Sequence, residues 1–198
     1  MLRTLFVCAG VALALVSSGC GDDTSPTSPG GPGSLGSINI RITDSPFGAA
    51  KAVLITLSEV SVQKGGDWTV LPFPDGSTAS WVCDLKKLEN NAQDLIASGA
   101  PSQGVYDRVR LRVSSARIYV ANAAQSATPC AKTIAAPAGE SYPASIAENE
   151  GSDNGSLPVA SDKATTVLLD FDGEASLTEP STNSYVLRPV IRLISVQQ

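Results

Sequence analysis

From residue 37 onward, apolar and polar positions alternate with a period of two, the mark of half-buried strands. Ile38, Ile40 and Ile42 alternate with Asn39, Arg41 and Thr43. Asp44-Ser45-Pro46 then ends the run, because proline bars continuation and aspartate suits a side-chain turn. Val53, Ile55 and Leu57 open a second strand. Its phase slips to Val60 and Val62, which predicts a bulge near Ser58-Glu59 or a strand passing between two sheets. Gly65-Gly66 turns the chain into a third strand, from Trp68 to Leu71. Val109, Leu111 and Val113 alternate again, and Ile118 and Val120 continue after Ser114-Ser115. Val167, Leu169 and Phe171 mark a further strand. A β-rich run over residues 185–196 closes the chain, with Pro189 marking an edge or bulge.

Residues 84–98 are the helical candidate. Asp84 suits the cap of a turn holding Leu85 and Leu88, with Leu95 and Ile96 farther on and Asn90-Asn91 interrupting. Residues 121–163 are long, polar and weakly patterned, so they are expected either to hide one short strand or to be mobile. Six or seven strands with almost no helix predict an all-β fold. The architecture expected is an antiparallel Greek-key β-sandwich over residues 37–198, with one or two short helical turns.

The start of the chain has a different pattern. Arg3 precedes an uncharged apolar run over residues 5–16, too short for a membrane span and suited to the core of a secretory signal. Ser17-Ser18-Gly19 then lead to Cys20. This resembles a lipoprotein signal over residues 1–19, in which the cysteine is diacylated before cleavage. Ser17 departs from the usual aliphatic residue, and an ordinary signal cut at the same bond is the alternative. Residues 20–36 read as a lipidated flexible tether, since only Leu35 among residues 22–36 is a large apolar side chain. The address expected is the cell envelope, outside the cytoplasm and anchored to a membrane. It is the outer membrane if the host has two, because Gly21 rather than aspartate follows the cysteine. Of the remaining cysteines, Cys8 leaves with the signal. Cys83 and Cys130 are expected to pair outside the cytoplasm, with two separately buried thiols as the alternative.

Charge and composition narrow the function. A net charge of −5 argues against nucleic-acid binding, which needs a concentrated basic surface. The chain has no histidine, which removes the commonest general base and metal ligand. No cofactor or metal is expected.

Several segments together resemble a known family. They are INIRITDSPF at the start, AVLITLSEVSV with its glycine turn and Trp68, the stretch from Gly104 through Tyr106 to Val109-Arg110-Leu111, LLDFD, and Leu187-Arg188-Pro189-Val190. The chain is similar to a bacterial family catalogued as domain of unknown function 4382, from about Gly36 to the C-terminus and least over residues 121–163. The resemblance implies an exported lipoprotein or envelope protein with a transthyretin-like or immunoglobulin-like sandwich. It supplies no catalytic residues.

Arg108, Arg110 and Arg112 fall on one face of a strand, and Asp170 and Asp172 share a face of another. One reading makes them cross-strand ion pairs with each other on a solvated surface. A second makes the arginines a contact face for anions or acidic glycans, since guanidinium binds carboxylates and sulfates in bidentate fashion. Arg188 and Arg192 are placed to extend either. Asp170 and Asp172, about 7 Å apart on a strand, are also spaced as a glycosidase pair, although no ring of sugar-stacking aromatics accompanies them. Residues 148–155 are acidic and glycine-bearing, like a calcium loop, but lack its ligand spacing and read better as a solvated loop. The text matches at Gly31-x-Gly33-x-x-Gly36 and Ser61-x-x-Lys64 fall in a tether and on a strand, where neither chemistry works. Trp68 and Trp81 suit packing better than a sugar platform.

The function expected is a non-enzymatic, lipid-anchored β-sandwich serving binding, adhesion or assembly, with a glycan or an envelope protein as partner. The alternatives are a carboxylate-dependent glycan hydrolase and a spacer without ligand. Mass spectrometry of the mature N-terminus is expected to find an acylated cysteine; an unmodified Cys20 there refutes the anchor.

Overall fold

Strand β1 (Ser37–Asp44) turns Ile38, Ile40, Ile42 and Asp44 inward, as the alternation requires. These are the first side chains of the folded region in a computed structural model that describes residues 35–44, 48 and 50–198. The signal, Cys20 and nearly all of the tether lie outside the described residues. Strand β2 (Ala52–Lys64) turns back at Gly65-Gly66 into β3 (Asp67–Leu71). Both glycines hold positive φ, +60° and +95°, where a Cβ would strain the turn.

Next come β4 (Trp81–Asp84) and a single 3-10 turn (Leu85–Lys87), whose cap is the Asp84 carboxylate accepting from the Lys86 N–H. This is the short Asp84-capped turn that was expected, and a second helical piece around Leu95 and Ile96 does not form. Leu95 and Ile96 lie in β5 (Asp94–Gly99), hydrogen-bonded along β1, so pairing overrides a weak helical pattern. Strand β6 (Gly104–Tyr119) runs unbroken through Ser114-Ser115.

Residues 121–163 hold three strands, β7 (Cys130–Ala131), β8 (Ser141–Ile146) and β9 (Glu150–Val159). The stretch read as a calcium-like loop is therefore largely strand. Next are β10 (Ala164–Phe171), one α-turn α1 (Gly173–Ser176) capped by Asp172, and β11 (Leu177–Ser181). Strands β12 (Ser184–Leu187) and β13 (Ile191–Gln197) follow, parted at Pro189. There are thus more strands than the pattern predicted.

The strands form two sheets around one main core. The smaller has the order β13-β10-β1-β5, and the larger β11-β12-β8-β6-β2-β4-β7, with β3 also on β2 and β9 also on β6. The sandwich is all-β, as expected, but both sheets are mixed. β1 pairs in parallel with β10, and β8 with β12. Parallel neighbours need a long crossover, and the chain from β2 to β9 supplies one between β1 and β10.

The expected bulge is present. The β2–β6 register shifts on either side of Leu57, so that Thr56 pairs with Ser115, Leu57 with Val113 and Glu59 with Arg112. Ser58 and Ser114 are thereby passed over, one on each strand. With both strands slipping together, Val53, Ile55, Leu57, Val60 and Val62 all reach the same core as Val109, Leu111, Val113, Ala116 and Ile118. On the other side of the ribbon, Ala52, Leu54, Tyr119 and Ala124 form a small second core, which Val82 and Ile134 flank. The segment carrying Ala124 and Ile134 is pinned to β4 by the Cys83–Cys130 disulfide, which joins direct ladder partners 47 positions apart. A cross-link closing that length contributes about 4 kcal/mol in the chain-entropy model.

The end of β1 is fastened to the end of β10 through Asp44, 4% exposed, whose Oδ1 accepts the Gly173 N–H at 3.2 Å. Burial drives its pKa up to about 8, against that hydrogen bond, and the charges of Asp170 and Glu89 add to the rise. The folded state thus keeps a proton that the unfolded chain releases near the ordinary value of 3.8. Stability from this group is complete below that value and is lost as pH climbs towards about 8. Asp44→Asn keeps an oxygen for Gly173 and does not titrate. Its stability advantage over wild type in urea titrations is expected to widen from about pH 4 to about pH 8; an advantage constant across that range would contradict the assignment.

Candidate functional site

The arginine row lies on the outer face of the half-sheet β3-β2-β6-β9. Register sets its partners. Arg112 pairs with Glu59 on β2 and Glu150 on β9, Arg110 with Ser61 and Ser152, and Arg108 with Gln63 and Asn154.

Arg110 is the centre of the face and only 8% exposed. Its Nε donates to Ser61 Oγ at 3.1 Å, and its Nη2 and Nη1 lie 2.5 and 3.4 Å from Glu59 and Glu150. Trp68 lies against the guanidinium, 3.9 Å from carbon to ring centroid, a cation–π contact. Arg112 reaches Glu150 at 3.2 Å and Glu59 at 4.0 Å. Burial acts to raise the Glu59 pKa, but the hydrogen bonds from Arg110 and Ser61 and the two guanidinium charges prevail and hold it below the ordinary value. Two arginines and two glutamates therefore balance each other. Arg108 is the exposed member, its Nε donating to Asn154 at 3.0 Å.

The arginines share one face as their spacing predicts, but Arg110 and Arg112 pair with Glu59 and Glu150 and not with the expected Asp170 and Asp172. Asp170 and Asp172 belong to the other sheet. Asp170 lies opposite Thr43 and Arg192 in the ladders. Asp172, past the end of β10, accepts the Ala175 N–H at 2.9 Å and meets Arg192 Nη2 at 2.5 Å. Capping and ion pairing occupy this carboxylate. Arg188 pairs with Glu148 at 3.6 Å, so neither late arginine extends the row. Trp81 stacks on Phe73 with ring centroids 6.1 Å apart, a packing role as expected.

The sequence does not mark the cleft beside β11. Beside the end of β6, next to α1 and to β11, the terminal strand of the larger sheet, a hollow of about 530 Å³ opens on the core. Ala50, Ile118, Val120, Leu177 and Tyr185 line its apolar part, and all five pack within the main cluster. Thr178, Glu174 and Glu179 add polar groups. Glu179 is held in place, its Oε1 accepting the Asn183 N–H at 2.8 Å at the β11–β12 turn. Burial, then the Glu179 charge and hydrogen bond, raise the Tyr185 pKa, so the phenol stays protonated. A second hollow, about 390 Å³, is lined by Thr43, Asp44, Asn90, Asn91, Gln93, Leu168, Asp170 and Ile194. Among the described residues, no group of three or more His, Cys, Asp or Glu is placed to hold a metal ion. Nor is any helix there long and apolar enough to cross a membrane.

The family model described as "Domain of unknown function (DUF4382)" matches residues 35–189. The chain belongs to that family. The match takes in the whole of β1 to β12 and stops just before β13, and so contains both the arginine face and the cleft of this DUF4382 domain. No curated protein and no solved structure matches the chain.

Because Arg110 is buried between two carboxylates, Arg110→Ala is expected to cost about 2–3 kcal/mol in chemical denaturation by stranding Glu59. Arg108→Ala is expected to change stability by less than about 0.5 kcal/mol. Equal costs would contradict this division of the row.

Proposed function

We propose that this DUF4382 domain is an exported, lipid-anchored binding module of the cell envelope that meets its partner at the cleft beside β11. The signal-like start and Cys20 support the address, and so does the Cys83–Cys130 disulfide, which suits an oxidising compartment. One observation carries the binding reading. A hollow of ligand size has a floor continuous with the core and a carboxylate-bearing wall. Such a surface is held rigid by packing, so little ordering is required when a partner arrives.

A binding role fits the polar groups better than hydrolysis. Asp172 serves as cap and ion-pair partner, and the arginine row is tied into its own sheet. The acid–base pair of the hydrolase alternative would have to be drawn from groups with structural duties.

The reading is tested by methyl-detected NMR, titrating the protein with soluble fragments of the producing cell's envelope. The methyls of Ile118, Val120 and Leu177 are expected to shift before those of Val70 and Val105, which are exposed but do not line the cleft. Shifts confined to the second group would overturn the cleft as the site. Cleavage of glycan fragments that is abolished in Asp172→Asn would overturn the non-enzymatic reading.

A further inference from the structure

We infer that the occupant of this cleft is a basic, extended segment of a partner polypeptide, which sets one large apolar side chain on the floor and a lysine or arginine against Glu174. This rests on the reading of the cleft as the binding site and names the class of partner.

Three features converge on that class. First, the lining residues carry two carboxylates, Glu174 and Glu179, and no lysine or arginine. Glu174 is exposed on α1, while Glu179 is fixed by the Asn183 N–H, so one rim charge is adaptable and the other preorganised. Complementarity then favours a cation, and it disfavours the anionic headgroups of a phospholipid.

Second, the floor is mainly aliphatic. Ala50, Ile118, Val120 and Leu177 offer methyl and methylene surface, with Tyr185 the one aromatic. Such a floor suits a leucine- or phenylalanine-sized side chain. Sugar recognition draws instead on stacked aromatic faces and rows of amide and hydroxyl groups.

Third, the wall that carries Thr178 and Glu179 is β11, the terminal strand of the larger sheet, hydrogen-bonded to β12 on one side. A polypeptide entering the hollow lies beside a strand edge, where main-chain groups can pair as in strand addition. Pro180 has no N–H to donate, so the length of β11 that can pair is short and the side chain in the hollow sets the register. An extended segment alternates its side chains, which sends every second one towards the floor and leaves its neighbours for the rim.

The test uses the full chain in detergent micelles and two fluorescein-labelled peptides, one alternating lysine with leucine and one alternating glutamate with leucine, read by anisotropy. The basic peptide is expected to bind at least about tenfold more tightly than the acidic one, and Glu174→Lys to weaken it by about tenfold or more. Glu174 is exposed, so this variant is expected to fold. Leu177→Ala, checked for unchanged circular dichroism, is expected to weaken the same peptide from the floor side. Binding of the basic peptide that neither variant changes would be charge attraction alone and would overturn the proposal. If glycan fragments or the acidic peptide shift the Ile118 and Val120 methyls and the basic peptide does not, the partner class falls and the cleft stands. If no probe shifts them, both fall.

Discussion

The antiparallel ladder between β2 and β6 constrains the rest of the molecule. It runs from Ala52 opposite Tyr119 to Gln63 opposite Arg108, and the other strands of the larger sheet are built onto it from both sides. A single bulge in such a ladder would send every later side chain to the opposite face. Here both strands slip at the same level, near Ser58 and Ser114, and the inward face stays apolar along its whole length. The two-sided demands on the ribbon follow from this. Its outer face carries the glutamate–arginine lattice at one end and the small Ala52-Leu54-Tyr119 core at the other.

Strands of that kind are legible in a sequence because one face is buried and the other solvated. Ile38 to Ile42, the shifted phase between Leu57 and Val60, and Val109 to Val113 all reveal their environment by alternation. β9 does not. Its close packing is partly made by missing side chains. A Cβ on Gly151 would lie 2.9 Å from the Pro189 carbonyl oxygen, and one on Gly155 would collide with Leu193. A glycine that is buried by its own smallness leaves no hydrophobic period to read. β5 was obscured differently. Ile96 and Ala97 are buried one after the other, and the register shifts opposite them between Ile40 and Arg41, so no alternation survives.

The candidate sites divide along the same line. A shared face on one strand follows from residue spacing, which is why the arginine row was visible. The identity of its counter-charges depends on register between strands more than forty positions apart, as Arg110 and Ser61 are, and no local pattern encodes that. The cleft is less legible still, because Ile118, Val120 and Leu177 look like ordinary core residues. They become the lining of a hollow only because the fold brings β11 and α1 beside the end of β6.

The position of β1 has a mechanical consequence. It is an interior strand of its sheet, laddered to β10 on one side and β5 on the other, and it is the first element among the described residues. Tension applied at Ser37 along the strand axis would load both ladders in shear, so that many hydrogen bonds bear it together instead of parting one by one. A domain hung from a membrane by this end would resist being drawn open there, and the edge strands would give way before the point of suspension.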